Sequence, residues 1–199
     1  MRFCNTAVLT AYNLSIIDVM TDAIRINGNK CENIAAELGR LLPENAEIVV
    51  LAIGSDRVTG DCTGPIAGHI LAERGVRVYG SLASPVTAVN VVRSYEEIKR
   101  RHPRAFVIAV DSAVGTDSEV GAVIVIPRGL RPAAAVGKSL PPVGDIGIVG
   151  VVSPQRLGAD ALGKVRLALA YSLAGRIADG ISFALMRRDK RLSDRALTR

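Results

Sequence analysis

The densest collection of chemically capable residues is the run Gly54-Ser55-Asp56-Arg57-Val58-Thr59-Gly60-Asp61-Cys62-Thr63-Gly64-Pro65. Its glycines let backbone amides approach a ligand closely, and a helix opening at Pro65 favours negative charge at its N-terminus. A second carboxylate, Asp111, directly follows the aliphatic run Ala105 to Val110. Alone, each has an ordinary structural role: Asp61 as a helix cap, Asp111 as a turn former before Ser112. Two carboxylates held close cannot both ionise easily, so one keeps a proton near neutral pH. The pair then offers a general base for water and an acid for a leaving group.

Other chemistries fit the spacing less well. Cys62 and His69 suggest a thiol nucleophile and its base, but a helix from Pro65 turns His69 away from the loop. Carboxylates at strand ends suit hard cations, whereas zinc normally wants histidine, and only His69 and His102 exist. His102 precedes the strand that Asp111 ends, so it lies at the opposite end. Val136-Gly137-Lys138-Ser139 ends like a phosphate loop, yet Pro132 stands where the first glycine belongs. Leu140-Pro141-Pro142 blocks the helix that must follow, which excludes a nucleoside triphosphatase.

The elements that must position the aspartates follow from periodicity. Residues 14–27 and 30–42 read as amphipathic helices, with Ile34, Leu38, Leu41 and Leu42 forming one stripe of the second. Glu47 to Ile53 is a strand, a helix runs from Pro65 to about Arg74, and Val76 to Tyr79 is a short strand. A helix opens at Ser84-Pro85 and closes before Pro103, with Ala88, Val91, Val92, Tyr95 and Ile98 inward. Ala105 to Val110, Val120 to Ile126 and Ile146 to Val152 are further strands. Between the last two lies a long irregular Gly- and Pro-rich stretch, 127–145, uncommon in a compact domain and more often functional than a short loop. A final helix spans about 158–186, with Leu162, Val165, Leu169, Leu173, Ile177 and Ile181 facing the core.

Strand alternating with helix predicts an α/β fold in three α/β/α layers around a mostly parallel twisted sheet of about five strands. In the common 2-1-3 order the first and third of these strands are neighbours whose connections leave in opposite directions. Ligands bind in the crevice at such a switch point, and it is flanked by Asp61 and Asp111.

Composition agrees. Of 199 residues, 49% are hydrophobic and 4% aromatic, so small aliphatic side chains must fill the core. One domain of this size buries a substantial core. No signal peptide or membrane span is evident, and three cysteines at these spacings match no zinc pattern, so a reducing cytoplasm is expected. The net charge is +6, and Arg187 to Arg199 contributes six basic residues against two aspartates. The body is nearly neutral and has no basic stripe interleaved with aromatics, which argues against nucleic acid and for a solvated basic tail.

The chain resembles the YyaC-type sporulation proteins of spore-forming bacteria, from about Glu47 to Val152. The resemblance rests on the block from Gly54 to Pro65, Val78-Tyr79-Gly80, Pro85 to Asn90, Ala109-Val110-Asp111, Gly137-Lys138 and Leu140 to Asp145. That family is in turn similar to the germination protease and, more distantly, to the hydrogenase maturation peptidases, which implies a phosphorylase/hydrolase-like fold. Thr59, Asp61, Gly64 and Pro65 match the protease's Thr-x-Asp-x-x-Gly-Pro block, and Val110-Asp111-Ser112 matches its Ile-Asp-Ala. The resemblance implies a sporulation-associated peptidase in the cytoplasm of the developing spore or mother cell, with Asp61 and Asp111 catalytic. Ser55 and Asp56 are expected to line its cleft, with Lys138 and Asp145 approaching from the long loop. Its substrate would be a protein or peptide such as a spore protein, with homo-oligomers in prospect and no cofactor. In the hydrogenase peptidases a Glu, an Asp and a His surround a metal; Asp61 and Asp111 match the first two, and no histidine here matches the third. The alternatives are an inactive peptidase-like binding protein and a metal-dependent maturation-type peptidase.

Overall fold

The computed structural model describes residues 24–26, 31–130 and 142–197. Its strands are β1 (Ile24–Ile26), β2 (Ile48–Ala52), β3 (Val78–Tyr79), β4 (Phe106–Gly115), β5 (Val123–Ile126) and β6 (Ile146–Pro154). The helices are α1 (Cys31–Leu41), α2 (Thr63–Glu73), α3 (Val91–Arg101) and α4 (Leu167–Leu197), with short 3-10 turns between them. The strands form one six-stranded sheet in the order β1-β5-β6-β4-β2-β3. Neighbours from β6 to β3 are parallel, whereas β5 and β1 add antiparallel strands at the far edge.

Alternation along the strands sorts the core into two clusters. Val50, Ile108, Val110 and Ile148 face α1, α2 and α4, while Val49, Leu51, Val107 and Ala109 face α3. This is the expected three-layer α/β/α fold, and β3, β2 and β4 lie in the expected 2-1-3 order.

Several boundaries differ from the sequence reading. The helix predicted over 14–27 is replaced at residues 24–26 by β1, which pairs with β5; the rest of it lies outside the described residues. The helix predicted from Ser84 begins only at Val91. Val86 is drawn to the sheet, bridging Ile53 and accepting the Gly54 N–H at 2.8 Å. Asn90 Oδ1 then accepts the Thr87 N–H at 2.7 Å, a turn that Ser84-Pro85 does not reveal. The last helix starts at Leu167, after a 3-10 stretch Ala159–Lys164, and runs through Leu197. The basic segment is therefore no free tail up to that point. Arg188 is buried and donates to the carbonyls of Glu44, at 3.0 and 3.1 Å, and of Ala46.

At two glycines helix α2 touches backbone with no side chain between. A Cβ on Gly64 would lie 1.9 Å from the Ile53 carbonyl oxygen, and one on Gly68 would lie 2.1 Å from that of Gly80. These glycines, one helical turn apart, let the helix rest on bare backbone. Gly64→Ala is expected to cost about 3 kcal/mol, or roughly 10 °C in Tm. Gly175→Ala, at a helical position where a Cβ meets nothing within 4 Å, should leave Tm unchanged or higher. Thermal denaturation of the two variants checks the contrast.

Candidate active site

The site forms where β2 stops and β4 continues. Ala52 is paired with Val110, and Ile53 donates its N–H to the Val110 carbonyl at 2.7 Å. In a parallel ladder the N–H of alternate residues points to the same side, so Ser112 N–H also faces β2 but lies past its end. The Asp111 carboxylate takes that donor, Oδ1 lying 2.7 Å from Ser112 N. Asp111 thus does not end its strand, as its sequence position suggests. It lies midway along β4, at the point where one neighbour is lost.

Asp61 comes from the other side. After Gly54, whose φ of 138° suits glycine, the loop folds back so that Ser55 N–H donates to the Asp61 carbonyl at 3.0 Å. A 3-10 turn, Thr59–Asp61, then leads into α2. Asp61 is 5% exposed, and its Oδ1 lies 3.5 Å from the Ser112 hydroxyl. One serine therefore touches both carboxylates, by its N–H and by its Oγ. These two contacts hold the Oδ1 atoms within about 10 Å, the range in which paired-carboxylate enzymes work.

Burial and, next, the neighbouring Asp61 carboxylate push the Asp111 carboxyl well above the usual aspartate range. The Ser112 N–H pulls the other way and is outweighed. Asp111 is thus a group whose affinity for its proton is raised.

The other expected residues are placed differently. Ser55 belongs to the loop behind Asp61, its Oγ accepting the Arg57 N–H at 3.2 Å, and Asp56 is exposed on that loop. Asp145 does not join the pair. It precedes β6 at the opposite end of the strands, where its Oδ2 accepts the Val107 N–H at 2.7 Å and its backbone N–H donates to the Val107 carbonyl. Its job is to fix the start of β6 against β4. Lys138 lies outside the described residues.

The competing nucleophile finds no base. Burial raises the Cys62 thiol, whose Sγ donates to the Thr59 carbonyl at 2.9 Å, while His69 lies 3.6 Å from Glu73. Among the described residues no group of three or more His, Cys, Asp or Glu side chains gathers to hold a metal ion. A pair of carboxylates alone is a sparse donor set for a metal ion.

Two residues joined the site that pattern reading did not single out. Ser112 is one. The other is Thr63, fully buried, with an Oγ1 that no described group pairs. It packs over Gly150, the β6 partner of Ser112, where a Cβ would meet Thr63 Cγ2 at 3.2 Å. An unpaired buried hydroxyl costs about 1–3 kcal/mol. Thr63→Val should raise Tm by several degrees in a melting experiment, which an ordinary structural hydroxyl would not do.

The Asp111 proton also couples to stability. The folded state keeps this proton at pH values where the unfolded chain, titrating near 3.8, has lost it. Stability therefore falls as pH rises from that value through the raised folded pKa. Asp111→Asn removes the cost while its amide oxygen still accepts the Ser112 N–H. Its Tm should exceed the parent's at pH 8, and the gap should close below about pH 3.8. A gap of constant size from pH 3 to 8 would mean that Asp111 titrates normally.

Residues 24–180 match the family described as "Protein of unknown function (DUF1256)". The chain is 40% identical over 139 residues to the "Uncharacterized protein YyaC" of Bacillus subtilis (strain 168), a match covering 68% of either chain. The matched family span runs from β1 into α4 and contains both aspartates, Thr63 and Ser112. The chain belongs to the DUF1256 family.

Proposed function

We propose that this protein is a peptidase, hydrolysing a peptide bond with water activated between Asp61 and Asp111. The observation that carries the reading is that Ser112 bridges the two carboxylates, one of which has its proton affinity raised by burial and by the other's charge. In the reaction, Asp61 takes a proton from water as the water oxygen attacks the scissile carbonyl carbon. Asp111 gives its proton to the leaving nitrogen as the C–N bond breaks. The products are a carboxylic acid and an amine, and transfer of one proton from Asp61 to Asp111 restores the pair. Ser112 Oγ orients the Asp61 carboxylate.

The same reading makes the enzyme germination protease-like, acting in sporulation on a spore protein in the cytoplasm of the developing spore or mother cell. Its support is the ordered set of sequence blocks from Gly54 to Asp145, with Thr59, Asp61, Gly64, Pro65 and Asp111 at matching places. No helix among the described residues is long and apolar enough to cross a membrane.

The test is incubation of the purified protein with spore-protein extract, scoring new peptide termini by mass spectrometry, with and without chelator. Cleavage should persist in chelator. Asp61→Asn and Asp111→Asn should each lose at least about 100-fold in rate while keeping the native circular dichroism spectrum. Undiminished cleavage by a folded Asp111→Asn protein sinks the mechanism.

A further inference from the structure

The basic residues after Met186 include two that pair with nothing among the described residues. A groove of about 240 Å³ runs between α1 and α4, with Ala36, Gly39 and Ala184 as its floor and Arg40, Arg187 and Arg191 around it. The floor is open: a Cβ on Gly39 would meet nothing within 4 Å. Arg40 is paired with Glu37 at 2.9 Å. Arg188 and Arg195 are engaged with the segment before β2, at the Glu44 and Ala46 carbonyls and the Glu44 carboxylate. Arg187 and Arg191 make no hydrogen bond or ion pair with any described residue.

Arg187 and Arg191 stand one helical turn apart on the same face, an arrangement of like charges that disfavours the bare helix. A ligand with two negative charges cancels both. The guanidinium is a planar fork that grips phosphate oxygens in pairs, and the small-residue floor lets a compact group sit between the forks. The groove's volume of about 240 Å³ holds a phosphate with a short substituent.

We propose that the α1–α4 groove binds a phosphate dianion, free or as a monoester of a small molecule, held by Arg187 and Arg191 with Arg40 at the rim. The site shares no residue with the aspartate crevice and does not depend on the peptidase reading.

The experiment is calorimetric titration of the full chain with inorganic phosphate and, separately, with phosphoserine, at low ionic strength where exposed charges are little screened. Saturable binding is expected for at least one probe, and the stronger of the two tells a free ion from a monoester. Arg187→Gln and Arg191→Gln should each weaken it at least tenfold. Arg100→Gln with Arg104→Gln removes twice the charge of either single variant from exposed positions elsewhere and should leave it unchanged. All substituted positions are exposed, and unaltered melting confirms folding. Absence of binding by both probes overturns the proposal, as does equal weakening by the control pair. Binding of a thymidine oligonucleotide through Arg187 and Arg191, with neither small probe bound, also overturns it.

Discussion

The contact on which the crevice depends is the one between α2 and the backbone of β2. At Gly64 the helix comes so near the Ile53 carbonyl that no side chain can stand between them. Because the helix begins there, the residues just before it, Thr59 to Cys62, are drawn over the end of β2. Asp61 is thereby buried against β4, where Ser112 lies within reach. A helix held at the usual side-chain distance would carry Asp61 outward into solvent, and its charge would no longer act on Asp111. The raised proton affinity of Asp111 is thus a consequence of glycine packing as much as of the two carboxylates.

The second constraint is the unequal length of neighbouring strands. β4 continues to Gly115 beside β6, while β2 ends at Ala52. A buried backbone donor past the end of β2 must find an acceptor, because leaving it unpaired is costly. Asp111 satisfies that need with its own side chain, and the same bond aims its carboxylate into the crevice. The local backbone hydrogen bond and the geometry of the candidate site are one feature here.

Much of this was legible in the residues. Aliphatic runs gave the strands facing both helix layers, and the alternation of strand and helix gave the order of β3, β2 and β4. That order predicts Asp61 and Asp111 at neighbouring places, and Ser112 bridges them. Ranges failed where a long-range contact overrode local preference. Ser84-Pro85 reads as a helix start, but Val86 is taken up by Ile53 at the sheet. Asp145 reads as a loop residue free to approach a site, but the Val107 N–H claims it. The basic stretch after Met186 reads as solvated because its charges hide the role of Arg188, whose acceptors are backbone carbonyls far away in sequence. Ser112 and Thr63 carried no signal of their own. A hydroxyl becomes informative only when its burial and its partners are known.

The clasp of Arg188 on Glu44 and Ala46 also bears on how the chain reaches this state. It joins segments separated by 144 and 142 residues, so its loop is among the most expensive closures in the fold. Parallel strands brought together by crossovers already make for slow folding. Until α4 docks, the start of β2 lacks its cation and the apolar faces of α1 and α2 lack their cover. The aspartate pair lies by the end of that same strand and has its full burial only in the docked fold. Nascent or partly folded chains would carry both acids without the burial that sets their proton balance.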